Sequence, residues 1–177
     1  MKYNKIRKMD IANGPGIRVS IFMQGCEFHC KGCFSEETWN FNKGKKFTDE
    51  TIDKILKLCD NPTIKGLSIL GGEALHSKNI EGTTKLAKAF KNKFKQKDLW
   101  LWTGFLFENI KDKEILKYID VLVDGQFQIK NRNPKLKYCG STNQRVINIP
   151  KTIKNKKITL YKGEEYERIW SNRNIQR

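Results

Sequence analysis

The stretch Ile17-Arg18-Val19-Ser20-Ile21-Phe22-Met23-Gln24-Gly25-Cys26-Glu27-Phe28-His29-Cys30-Lys31-Gly32-Cys33-Phe34 carries the decisive reading of this chain. Its first part, Ile17 to Met23, is rich in β-branched and apolar residues and is closed by Gly25, which predicts a buried strand. The strand delivers a loop in which three thiols recur as C-x3-C-x2-C. Cys59 and Cys139 stand far away, and five is an odd number, so a disulfide framework explains these cysteines poorly. Three thiolates on one short loop suit a single metal centre. Structural zinc normally takes four protein ligands as two pairs, and no second cysteine pair exists here, although His29 or His76 could complete such a site. A four-iron cluster held by three cysteines instead leaves one iron open to an exogenous ligand.

Outward from this loop the chain alternates strands and helices. Thr48 reads as an N-cap with Asp49 and Glu50 in the first turn. Ile52, Ile55, Leu56 and Cys59 then recur at i, i+3, i+4 and i+7, an amphipathic helix that places Cys59 on its apolar face as a small buried thiol. Gly66-Leu67-Ser68-Ile69-Leu70 predicts a second strand, ending in Gly71-Gly72-Glu73. Helical spacing returns at Ile80, Thr83, Leu86, Ala87, Phe90 and Phe94. A third strand covers Leu99 to Thr103, a helix Glu108 to Tyr118, a fourth strand Val121 to Asp124 and a fifth Arg145 to Ile149. This alternation predicts an α/β fold with a mostly parallel sheet. In such sheets chemistry gathers at the carboxyl ends of the strands, so the cysteine loop, Gly71 to Glu73, Thr103-Gly104 and Asp124-Gly125 are expected to converge. Trp100 and Trp102 are read as packing residues with opposite facings in the third strand. Residues 1–150 are expected to form one domain. Residues 151–177 are expected to form a C-terminal extension, packed in part through Tyr161, Tyr166, Ile169 and Trp170 as a strand and a short helix, and to fray at its end.

Composition narrows the function. The chain has 177 residues, 38% hydrophobic and 11% aromatic, which is too core-rich for a disordered polymer. It has no apolar run near the ~20 residues of a membrane span and no secretory signal, so a soluble, cytoplasmic protein is expected. The net charge of +16 favours polyanions, and a basic, zinc-stabilised nucleic-acid-binding module is the competing reading. Against it, the excess comes from 28 scattered lysines and only seven arginines, and arginine is the residue expected where phosphates or bases are gripped bidentately. The two histidines sit in no hydrolytic or His-Glu metal pattern.

Several further blocks are informative: Asp10-Ile11-Ala12-Asn13-Gly14-Pro15-Gly16-Ile17-Arg18, Glu37-Thr38-Trp39, Gly71 to His76, Leu99 to Gly104, Val121 to Gly125 and Gly140-Ser141-Thr142-Asn143-Gln144. With the cysteine motif between them, the chain resembles the radical S-adenosylmethionine superfamily. Within it, the chain is similar to the glycyl-radical-enzyme activases that serve anaerobic ribonucleoside-triphosphate reductase. The resemblance implies that Cys26, Cys30 and Cys33 hold a 4Fe-4S cluster whose open iron chelates the amino and carboxylate groups of S-adenosylmethionine. Glu73, presented by Gly71 and Gly72, would accept hydrogen bonds from the substrate ammonium. Gly32, Cys33 and Phe34 would line the adenine, with Thr103 and Asp124 as further candidates for the same ligand. One electron to the sulfonium would yield methionine and a 5′-deoxyadenosyl radical, which takes an α-hydrogen from a glycine of the large reductase subunit. No catalytic side chain beyond the cluster and S-adenosylmethionine is implied. Partners would be that subunit and an external one-electron donor such as a flavodoxin; another glycyl radical enzyme or a small molecule is the alternative target.

About five to six mostly parallel strands are too few to close an eight-stranded barrel, so an open partial (β/α) barrel is expected, with a lateral mouth suited to a macromolecular substrate. The chain departs from the family pattern at three places. Ala74 stands where proline is common, Cys139 where arginine is common, and Trp102 where related activases carry an aspartate that helps bind a monovalent cation, so no such cation is predicted.

Overall fold

A computed structural model describes residues 1–163. Seven strands form one mixed sheet: β1 (Lys2–Asp10), β2 (Ile17–Met23), β3 (Lys45–Lys46), β4 (Ile64–Gly71), β5 (Asp98–Trp102), β6 (Val121–Asp124) and β7 (Arg145–Asn148). The order is β3-β1-β2-β4-β5-β6-β7, so β3 and β7 are its edges. β2, β4, β5 and β6 run parallel in the middle, while β1, β3 and β7 pair antiparallel at the flanks. The predicted fifth strand is therefore antiparallel, and the expected five to six strands are seven. Neither β1 nor β3 shows an apolar run. Both lysines of β3 and much of β1 are solvated, so backbone ladders rather than apolar burial hold them.

The helices are α1 (Asp49–Cys59), α2 (Ile80–Lys93), α3 (Phe107–Ile110) and α4 (Ile149–Asn155). α1 starts at Thr48, whose N–H donates to Thr51 Oγ1 at 3.2 Å. The helix predicted over Glu108 to Tyr118 is instead the single turn α3 followed by a 3-10 segment, Glu114–Tyr118. The reason lies in the spacing of its buried residues. Ile110 and Ile115, five apart, would point about 140° apart on a continuous α-helix, yet both are buried. α4 runs across the predicted boundary between residues 150 and 151, and Tyr166, Ile169 and Trp170 lie outside the described residues.

Alternation along the strands divides two cores. Val19, Ile21, Leu67, Ile69, Leu99, Leu101, Leu122 and Ile147 pack with Ile55, Leu86 and Phe90 of α1 and α2. The other face carries Trp100, Val121, Val123 and Val146, covered by Trp102, Tyr138, Cys139 and Tyr161. Trp100 and Trp102, two apart, share this face and stack at 5.7 Å, which corrects the opposite facings expected for them. Arg18 is fully buried there. It pairs with Asp98 at 2.6 Å, donates to Ser68 Oγ at 2.7 Å and lies 5.6 Å from the Trp100 ring, joining the starts of β2, β4 and β5.

Candidate active site

The carboxyl ends of β2, β4, β5 and β6 meet at the cysteine loop. Gly25 is the junction. Its N–H donates to Thr38 O at 2.6 Å, and its carbonyl accepts from Glu73 N–H at 2.8 Å. A Cβ on Gly72 would stand 2.5 Å from Gly25 O, so only glycine lets the Gly71-Gly72-Glu73 turn approach this closely. Two side chains lock the arrangement. Gln24 Nε2 donates to Asn40 O at 2.8 Å, and Asn79 Nδ2 donates to Gln24 O at 3.0 Å and to Glu73 O at 2.9 Å. At the rim, His76 Nδ1 accepts from Lys78 N–H, which leaves Nε2 carrying its proton toward Glu27 Oε1 at 2.9 Å and ties the loop to the glutamate turn.

Within the loop, His29 and Gly32 take positive φ, 45° and 72°, and Cys33 N–H donates to Cys30 O at 3.1 Å. These turns bring Cys26, Cys30 and Cys33 to the wall of one cleft with Trp39, Glu73 and Thr103. Burial pushes the Cys26 thiol up to about 11, against backbone N–H groups of Phe28 and His29 that favour its thiolate. Burial, then the neighbouring Cys33, raises Cys30 as well. Cys33 Sγ accepts from Ser35 N–H at 3.4 Å. Cys59 is fully buried under α1, pushed up to about 12 by burial, and belongs to the core.

Glu73 is 2% exposed, and burial raises its carboxyl above the ordinary range despite three donors. Oε1 accepts from Leu75 N–H at 2.9 Å and Thr103 Oγ1 at 2.7 Å, and Oε2 accepts from Gly104 N–H at 2.8 Å. Among the described residues no Lys or Arg pairs with it. Thr103 thus orients Glu73 at the cleft. Asp124 does not line the cleft. It is fully buried behind it, bound to Arg145 Nε at 3.0 Å and to Phe107 N–H at 2.8 Å. Phe34 is 67% exposed, packed 5.2 Å from Phe127, with Arg132 Cζ 5.6 Å from its ring.

Sequence reading assigned no role to Gln144, Trp39 or Arg145. Gln144 Oε1 accepts from Gly140 N–H at 2.9 Å and its Nε2 donates to Gly125 O at 2.9 Å, fastening two loops of the cleft rim. The Gly140 to Gln144 block was the available signal. Trp39 lines the cleft with its indole N–H buried and unaccepted among the described residues. Arg145 clamps Asp124 and Glu108 together, a contact spanning three separate elements.

This donor set fits a cluster better than a lone ion. Among the described residues no three His, Cys, Asp or Glu side chains close on a single metal ion. A polynuclear centre asks less, since each thiolate binds its own iron. The three thiols and the unpaired carboxylate line one cleft, as a cluster and a cationic ligand would require.

Comparison with known proteins agrees with this chemistry. The family described as a 4Fe-4S single cluster domain matches residues 12–147. The anaerobic ribonucleoside-triphosphate reductase-activating protein of Enterobacteria phage T4 is 42% identical over 146 residues, 82% of this chain and 93% of that protein. Proteins of the same name are 39% identical in Vibrio cholerae and 37% in Escherichia coli K12, each match covering 81% of this chain and 96% of the relative.

Proposed function

Because this chain belongs to the family of anaerobic ribonucleoside-triphosphate reductase-activating proteins, we propose that it is the radical S-adenosylmethionine enzyme that installs a glycyl radical in such a reductase. The observation that carries the reading is the cleft in which Cys26, Cys30 and Cys33 face an unpaired buried Glu73. When bound, a 4Fe-4S cluster would supply the one electron that splits the sulfonium into methionine and a 5′-deoxyadenosyl radical, and that radical would take the hydrogen atom from a reductase glycine. The protein supplies the binding groups and their placement.

Cys26, Cys30 and Cys33 hold the cluster, and loading releases their thiol protons. Glu73, fixed by Leu75 N–H, Gly104 N–H and Thr103 Oγ1, receives the ammonium of S-adenosylmethionine, which turns an unfavourable buried charge into a pair. Gly71 and Gly72 leave room for that ligand's backbone-side approach, and the adenine would lie along Gly32 to Phe34, where Cys33 and Phe127 border the cleft and Phe34 packs on Phe127 just outside it. Asp124 acts from behind, holding Arg145 and the start of α3 so that Gly125 to Phe127 keep their place. An open partial barrel built on this mixed sheet would admit the reductase and an external one-electron donor such as a flavodoxin. No helix of the described residues is long and apolar enough to cross a membrane.

The test is anaerobic reconstitution with iron and sulfide, followed by reductant, S-adenosylmethionine and purified reductase. A glycyl doublet in the electron paramagnetic resonance spectrum of the reductase is expected. A colourless chain with stoichiometric zinc and no doublet would refute the reading.

A further inference from the structure

A larger cavity of about 620 Å³ opens beside the cysteine cleft and shares Cys33, Gly71, Trp102 and Phe127 with it. Among the described residues no Asp or Glu lines this cavity, whereas two guanidinium groups do. Arg7 Cζ lies 4.9 Å from the Phe22 ring centroid and Arg132 Cζ 5.6 Å from that of Phe34. An arginine laid on an aromatic face keeps its N–H edge available for a planar acceptor and loses less side-chain freedom when it gains one. Among the described residues neither fork makes a hydrogen bond to a carboxylate. The acid nearest Arg7 is Asp10, at 3.7 Å, and the Asp10 oxygens already accept from Ala12 N–H at 2.9 Å and Asn13 Nδ2 at 2.7 Å. Arg132 has no carboxylate partner among the described residues.

We propose that Arg7 and Arg132 recognise carboxylate side chains on the glycine-bearing segment of the reductase, holding that segment in this cavity. The inference rests on the function proposed above and adds the chemistry by which the protein substrate is selected. A segment held in this cavity would lie beside the cofactor cleft, with which the cavity shares Cys33, Gly71, Trp102 and Phe127. The single carboxylate of S-adenosylmethionine is assigned to the open iron and is not available to these arginines. A polyphosphate backbone would satisfy the guanidinium groups too, but the cavity is also lined by the apolar Phe22, Leu70 and Leu136, which suits a peptide.

The test uses the reconstituted full-length chain and its cognate reductase. Arg7→Gln/Arg132→Gln is expected to weaken reductase binding about tenfold or more and to flatten its salt dependence in anaerobic equilibrium titration. Iron content per chain and the thermal midpoint report whether that variant folds. A second arm needs no variant: a synthetic glycine-bearing segment with its acids intact should compete with the reductase for the unaltered chain, and the same peptide with Gln and Asn in their place should not. Equal affinity of parent and variant, or equal competition by both peptides, overturns the inference while leaving the proposed function standing. A parent chain that neither binds nor activates the reductase removes that function and this inference together. Preferential, arginine-dependent binding of an oligonucleotide over the reductase also overturns it.

Discussion

Glu73 concentrates the chemistry of the site in one side chain. Burial raises its carboxyl, and Gly104 N–H, Leu75 N–H and Thr103 Oγ1 pull it back only in part. The folded chain therefore keeps this proton to higher pH than the unfolded chain does. The contribution to stability is complete below the ordinary carboxylate range and is lost as pH rises through the elevated value. An ammonium ligand reverses that preference because it needs the carboxylate. Affinity for S-adenosylmethionine is expected to rise with pH across the acid range and to level once Glu73 is ionised, as read by equilibrium titration. Glu73→Gln should lower the plateau at least about tenfold, because a charge-assisted contact is replaced by a neutral one.

At the scale of elements, the network joining α3, β6 and β7 decides the position of the cleft rim. Arg145 bridges Asp124, whose side chain is fully buried, and Glu108, whose side chain is 53% exposed. The two acids differ in worth for that reason. Arg145→Met leaves a buried carboxylate without its counter-ion and is expected to cost about 3–5 kcal/mol in urea unfolding. Glu108→Gln removes a solvent-screened contact and should cost no more than about 1 kcal/mol. The Glu108 carboxyl is held down at about 2, first by its hydrogen bond to Arg145. A depressed folded value means that this small contribution is present above the ordinary carboxylate range and fades as pH falls toward about 2. Stability curves of parent and Glu108→Gln should therefore converge in strong acid.

At the scale of the whole molecule, one end of the sheet is built for a centre the chain does not itself supply. Cys26 and Cys30 sit where burial disfavours thiolates, so ligand binding must offset that cost. Loading with iron and sulfide is expected to raise the thermal midpoint, and a chelator should return it to the unloaded value. Cys30→Ala should abolish the rise. Cys59→Ala, at the buried end of α1 in the core, should lower both midpoints and leave the rise intact.

The chain's local patterns settled a good deal without any tertiary contact. The β-branched run before Gly25 marks β2, the i, i+3, i+4, i+7 spacing marks α1 with Cys59 inside, and C-x3-C-x2-C after a strand marks the cluster loop, because each is a periodicity or a covalent spacing. Long-range geometry decided the rest. β1 is a strand through ladders with β2 and β3 that its lysines conceal, and β7 is antiparallel because of how the chain returns from the Gln144 turn. The Arg18–Asp98 pair joins residues 80 apart, and Asp124 turns from the cleft toward Arg145. Glu73 was recognisable as a turn residue from its two glycines. That it lies buried, unpaired by Lys or Arg and beside three thiols follows only from packing four strand ends together, since burial and charge pairing are properties of neighbours that are distant in the chain.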